Sequence, residues 1–222
     1  MASSVEVAQS KKKSLRSRKR LRSCLLACIA AWWLRERPAA QRALVAGLAV
    51  SCAYVGWSQV AKWKVDAVAE SSLAAIGLQD APRVSTPMPF NTLLWRVVVM
   101  TPDGFMEAER SLVADNGPMR FVEHPSDTEG LAATATYPAV RELRWFTHGF
   151  LKAQRHEDEL VLADLRMGAE PDYSFRFVVA RAGVDGWQPI PPRQLKWPWQ
   201  ASGRLPGMWN RIWQSPNAPG VR

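Results

Sequence analysis

Ala43 to Ala61 reads ALVAGLAVSCAYVGWSQVA, 19 residues without a charged side chain. At 1.5 Å per residue a helix of that length runs about 28 Å, close to the hydrocarbon thickness of a bilayer. Arg42 closes one end and Lys62 and Lys64 the other. Tyr54, Trp57 and Trp63 lie toward the C-terminal end, where amphipathic rings favour the headgroup region. A buried core helix needs neither this length nor these flanks. The stretch 43–61 therefore predicts a transmembrane helix, with the lipid bilayer as its partner.

Upstream, residues 1–42 carry 11 Lys/Arg against 2 Asp/Glu, whereas residues 43–222 carry 18 of each. The net charge of +9 is thus an N-terminal property. A nucleic-acid reader spreads basic residues over a folded face; here they form a run from Lys11 to Arg22, so no nucleic-acid partner is expected. Residues 1–23 read as a basic tail. Residues 24–42 hold an apolar run, Cys24 to Leu34, whose 11 residues are too few to span. Trp32, Trp33 and the neighbouring arginines suit a helix lying in the interface, or a remnant of a membrane helix. Basic residues ahead of an apolar span mark the cytoplasmic side. The expectation is a single-pass protein of a bacterial inner membrane, its N-terminus cytoplasmic and its C-terminal domain periplasmic. The three cysteines, Cys24, Cys28 and Cys52, all fall in or beside apolar stretches. The rest of the chain uses no disulfide, and no zinc-ligand set accompanies the Cys24/Cys28 spacing.

Downstream, residues 62–79 continue as a helical stalk. Val65, Val68, Ala69, Leu73 and Ile76 fall near helical spacing, and Gly77 is suited to end it. Asp80 to Pro89 reads as a linker, because its three prolines favour an extended path. Residues 80–222 then alternate strand and helix signals. Leu93–Met100 and Phe105–Val113 form a hairpin over Thr101-Pro102-Asp103-Gly104, and Met119–Glu123 is a short strand. Pro138–Phe146 is a helix with proline in its first turn. Phe150–Arg155 and Leu160–Leu165 make a second hairpin, Tyr173–Ala180 a further strand, and Leu205–Trp213 a terminal helix. The class is α+β: one antiparallel sheet of five or six strands with a few short helices. After Gly183, Trp187, Trp197, Trp199, Trp209 and Trp213 stand among prolines. This pattern suits an arm wrapped over the domain, or a face against lipid or a membrane-protein partner.

Several phrases are longer than composition explains: Pro87-Met88-Pro89-Phe90-Asn91-Thr92-Leu93-Leu94-Trp95-Arg96, then Arg144-Trp145-Phe146-Thr147-His148-Gly149-Phe150, then Asp164-Leu165-Arg166-Met167-Gly168-Ala169-Glu170-Pro171 followed by Tyr173-Ser174-Phe175-Arg176-Phe177. Together, over roughly residues 45–213, they resemble the C-terminal half of the LexA-regulated YdjM-like family of bacterial inner-membrane metal-dependent hydrolases. The resemblance implies a membrane-bound hydrolase using a divalent metal. Members of that family begin with a multi-span region whose His and Asp residues bear the metal site. This sequence begins with a basic tail and one span, and its only histidines are His124, His148 and His156. The expectation is a rearranged, non-catalytic member.

Asp164, Arg166 and Glu170 lie close in sequence, with His148, just ahead of the second hairpin, expected near them in the fold. Asp, Glu and His bind metal or move protons, so these four are the candidate catalytic set, and the alternative function is an active hydrolase built on them. The structural reading is equally direct. Asp164 and Arg166 share a strand face and suit an ion pair across a turn containing Gly168 and Pro171. Asn91 is expected to cap local backbone. Trp95, Trp145 and Trp209 are expected in the core, and His124 and His156 in solvated loops.

Overall fold

The strand Leu94–Thr101 (β2) carries apolar residues on both faces, and both are buried. Odd-numbered Trp95, Val97 and Val99 point one way, even-numbered Arg96 and Val98 the other. A strand of this kind sits in the middle of a layered structure, and the computed structural model of the protein, which describes residues 38–196 and 201–216, places it there. The basic tail, the apolar run 24–34 with its two cysteines, and Trp197, Pro198 and Trp199 lie outside the described residues.

The chain divides into two units, Met1–Trp57 and Ser58–Arg222. One helix, Pro38–Ala74 (α1), begins in the first and ends in the second. Its apolar part is long enough to cross a membrane, and no residue in the most apolar window is buried. Leu48, Val50 and Val55 stand open at 58–70 % of their full exposure. A soluble core helix hides such residues; this one does not. From Ala61 onward the pattern changes. Ala61, Val65, Ala69 and Leu73, four residues apart, are completely buried, as one stripe of a helix must be when it packs on a sheet. Gly77 (φ 75°) takes the left-handed conformation just beyond the helix.

That stripe lies on a four-stranded antiparallel sheet of order β1-β2-β3-β4, made of Arg83–Pro87 (β1), β2, Gly104–Ser111 (β3) and Val122–Pro125 (β4). The stripe packs with Trp95, Val97, Val99, Met106 and Ala108. Ser72 joins the two layers, its Oγ accepting from the Met119 amide at 2.9 Å. Short helices Thr128–Ala133 (α2) and Pro138–Phe146 (α3) follow. Next comes a second antiparallel sheet of order β10-β9-β6-β5, built from Leu151–His156 (β5), Glu159–Asp164 (β6), Arg176–Gly183 (β9) and Gly186–Gln194 (β10). Gly168–Ala169 (β7) and Asp172–Tyr173 (β8) form a two-residue ladder. Val140 of α3 packs on Leu151, Leu160, Leu162 and Val179, covering one face of this sheet. The other face meets the first sheet through Val98, Phe105, Ala163, Leu165 and Tyr173. The helix Ala201–Trp213 (α4) packs Ile212 against Met88 and Leu94.

The class is α+β with antiparallel pairing, as the sequence indicates, but the strands form two four-stranded sheets where one of five or six was expected. Both additional long strands were hidden by proline. β1 lies in the stretch read as a linker, and β10 in the stretch read as an arm. Each is an edge strand, the place in a sheet where a missing N–H is tolerated. In β10 the pairing with β9 shifts register between Pro189 and Arg193, across the prolines. Trp95 is core, as expected, but Trp145 and Trp209 are 79 % and 60 % exposed. Trp145 stands on the face of α3 turned away from Val140, which carries the helix's contact with the sheet.

Candidate functional site

Arg96 is a charged residue in the run LWRVVVM, and its side chain is 2 % exposed. Burying a guanidinium is tolerable only if its charge and donors are met. They are met by a network where the two sheets face each other. Arg96 Nη1 donates to Glu107 Oε1 at 2.7 Å, and Nη2 donates to the Leu165 carbonyl. The Tyr173 hydroxyl donates to the same Glu107 oxygen at 2.6 Å. Burial, together with the negative charge and hydrogen bond of Glu107, pushes the Tyr173 hydroxyl far above its ordinary pKa, so it stays a donor. Phe105 fills the space beside this network, edge-on to Tyr173 and stacked on His124 at 5.2 Å. His124 therefore belongs to β4 and to this stack, not to a solvated loop. His156 is exposed at the end of β5, as expected.

The turn holding Asp164, Arg166 and Glu170 wraps the edge of the network. Asp164, 3 % exposed, accepts from Arg166 Nε at 3.0 Å through Oδ1 and from Nη2 at 2.9 Å through Oδ2. Its Oδ1 also accepts the Arg166 amide at 2.9 Å. This is the bidentate fork that most strongly joins the two groups, and it raises the Arg166 pKa. Glu170 is held by Lys152 Nζ, at 2.8 and 2.9 Å to its two oxygens. Gly168 makes the turn possible. Its φ is +117°, and a Cβ there would lie 2.8 Å from the Asp172 carbonyl and from Tyr173 Cα. The Glu170–Pro171 peptide bond is cis. His148 is elsewhere. It sits exposed in left-handed conformation (φ 54°) after α3, and its ring hydrogen-bonds none of the other three. The structure thus brings Asp164, Arg166 and Glu170 to one region, each engaged with a counter-charge, and leaves His148 out.

Three members of this region, Arg96, Glu107 and Lys152, were not read from the sequence as site residues. A lone arginine inside an apolar strand was the available signal. Among the described residues no group of three or more His, Cys, Asp or Glu side chains is arranged to hold a metal. Asp164 and Glu170 are each already engaged with a cation, and with no third such side chain grouped with them among the described residues this donor set does not fit the divalent metal that the family resemblance implies.

Beside the network is an open cavity of about 630 Å³ bordered by Glu107, Glu109, Asp115, His124, Glu170 and Arg211. Arg211 of α4 ties its wall together, with Nη2 2.5 Å from Asp115 Oδ2 and Nε 3.6 Å from Glu109 Oε2. The two acids diverge. At Asp115 partial burial acts upward, but hydrogen bonds from Arg211 and the Ser111 amide outweigh it and hold the pKa below the ordinary value. At Glu109 desolvation dominates over Arg211 and, with Glu107 nearby, leaves the pKa above the ordinary value. Opposed shifts of this kind occur in acid–base sites and in structural clamps alike. Here Ser111 Oγ also donates to the Ile212 carbonyl at 2.6 Å, so the cluster fastens α4 to β3.

Compared with known proteins, the chain matches no family model, no curated protein and no solved structure.

Proposed function

We propose that this protein is a membrane-anchored α+β binding domain that performs no metal-dependent hydrolysis, although it resembles the C-terminal part of the YdjM-like membrane hydrolases. One observation carries the reading: the carboxylates expected to do the chemistry are neutralised within the fold. Asp164 is forked to Arg166, and Glu170 is bridged by Lys152. A carboxylate so paired has fewer lone pairs left for a metal or a substrate proton. The apolar segment of α1 supplies the anchor. Its exposed side chains suit lipid. The basic run ahead of it favours a cytoplasmic N-terminus, and hence a periplasmic domain at a bacterial inner membrane.

Two measurements test this. Protein extracted in detergent is analysed for bound metal. Stoichiometric zinc or manganese that disappears in Asp164→Ala or His148→Ala would replace the binding reading with a hydrolase built on Asp164, Arg166, Glu170 and His148. Alkaline phosphatase fused to the C-terminus reports the side of the membrane: activity is expected, and an inactive fusion reverses the orientation.

A further inference from the structure

One face of the second sheet is covered by α3; on the other, beside the apolar contact with the first sheet, polar side chains gather. There Lys152 and Gln154 of β5, Arg176 of β9 and Arg193 of β10 line a cavity of about 320 Å³, with Tyr173 and Leu195 among its apolar walls. That volume lies at the lower end of small-molecule sites. Three of the lining residues are fixed cations and one, Glu159, is an acid; two of the cations have carboxylate partners. Lys152 is held by Glu170 at 2.8 Å, and Arg193 by Glu159 at 2.9 Å. Among the described residues Arg176 pairs with no carboxylate. Its Nη2 donates to the Lys196 carbonyl at 3.1 Å. Its Nε–H is buried and meets no acceptor among the described residues.

An unmet buried N–H is destabilising, and such groups are rare enough in folded proteins that each calls for a cause. Here the donor belongs to an uncompensated positive charge lining a cavity. Nε–H and the adjacent Nη–H of a guanidinium form a planar fork whose spacing matches two oxygens of a phosphate or carboxylate. Lys152 and Arg193 are already bridged to Glu170 and Glu159, so Arg176 is the lining cation that no ion pair among the described residues engages. The Tyr173, Pro171 and Leu195 surfaces offer an apolar wall to whatever carries the anion.

We propose that this cavity binds a small ligand through a single oxyanion group, received by Arg176. The proposal deepens the binding-domain reading by naming its ligand class, and it rests on that reading only for its biological meaning. Phosphate chemistry reaches a membrane-anchored domain from two sources, a soluble phosphate ester or a lipid headgroup.

Calorimetric titration of the full chain in non-ionic detergent distinguishes them, using glycerol 3-phosphate in one arm and micelles doped with phosphatidate in the other. Saturable binding is expected in at least one arm, and the arm that responds identifies the source. Arg176→Gln should weaken it at least tenfold. Gln154→Glu, at an exposed strand position, leaves Arg176 in place and supplies a competing carboxylate from the cavity wall, so it should weaken binding similarly. Val184→Ser, fully exposed between β9 and β10 and outside the cavity, should leave it unchanged. Should Arg176→Gln fail to fold, Gln154→Glu decides. The proposal is overturned by absence of saturable binding in both arms, or by binding that Gln154→Glu does not weaken. Neither result bears on the metal content or topology measurements, so failure here is separable from failure of the binding-domain reading.

Discussion

Glu107→Ala is the substitution that most sharply probes how the two sheets are joined. Glu107 accepts from Arg96 Nη1 at 2.7 Å and from the Tyr173 hydroxyl at 2.6 Å. Its side chain is 11 % exposed and that of Arg96 is 2 % exposed, so little water can replace either bond. Without Glu107, the Arg96 guanidinium keeps the Leu165 carbonyl alone. Stripping one partner from a buried ion pair costs about 3–5 kcal/mol. An orphaned Tyr173 hydroxyl adds about 1–3 kcal/mol, partly overlapping. The expected loss is about 4–6 kcal/mol, a large share of the ~5–15 kcal/mol that holds an ordinary domain folded. Replacing the pair together, Arg96→Met with Glu107→Leu, removes both desolvated charges and should recover much of that loss. The assay is urea unfolding of the full chain in mild detergent, followed by near-ultraviolet circular dichroism. The reasoning fails if Glu107→Ala costs less than about 1 kcal/mol, or if the double replacement is no more stable than Glu107→Ala.

Leu73→Ala should cost about 2–5 kcal/mol in the same assay, because Leu73 is completely buried between α1 and the first sheet. A loss near zero would mean that the stripe from Ala61 to Leu73 does not belong to the core. Gly168→Ala should also destabilise the turn, and by more than an ordinary glycine-to-alanine exchange, since the new Cβ meets backbone at 2.8 Å with φ at +117°; a melting temperature equal to wild type would contradict this. Asp115 has a depressed pKa in the folded chain, so its contribution is present above the unfolded value of about 3.9 and is lost as pH falls through the lower folded value. Asp115→Asn should therefore cost about 2 kcal/mol at pH 7, with a gap to wild type that closes in acid below the ordinary carboxylate range. A gap independent of pH would show that the Arg211 ion pair is not the cause.

What the sequence disclosed, and what it withheld, follows physical lines. The hairpin 93–113, the helix 138–146 and the hairpin 150–165 were readable because period-two and period-three-to-four patterns register burial directly. Asn91 was readable as a cap, and its Oδ1 accepts the Leu93 and Leu94 amides at 3.0 and 2.7 Å. The ion pair of Asp164 with Arg166 followed from two residues on one strand face. The edge strands β1 and β10 were not readable, because proline signals a break unless the partner strand is known to lie on the side that needs no N–H. The Arg96–Glu107–Tyr173 network was not readable either: Arg96 and Glu107 lie on the paired strands β2 and β3, but Tyr173, 66 residues beyond Glu107, joins them only in the tertiary fold. Lys152 and Glu170, which bear on whether the DLRMGAEP turn is free to do chemistry, are 18 residues apart and likewise meet only in the tertiary fold. The exposure of Trp145 shows the converse limit, since hydrophobicity alone does not say which face of a short helix is covered.

The membrane anchor is tested most directly at Cys52, the midpoint of the stretch 43–61 and an exposed thiol on α1. In a chain with Cys24 and Cys28 changed to serine, Cys52 is the sole cysteine. Intact membranes are treated with a water-soluble maleimide, which needs a hydrated thiolate to react. If the helix crosses the bilayer, Cys52 stays unlabelled until the membranes are dissolved in denaturing detergent, and then labels fully. Prompt labelling in intact membranes would mean that this helix faces water and does not anchor the protein.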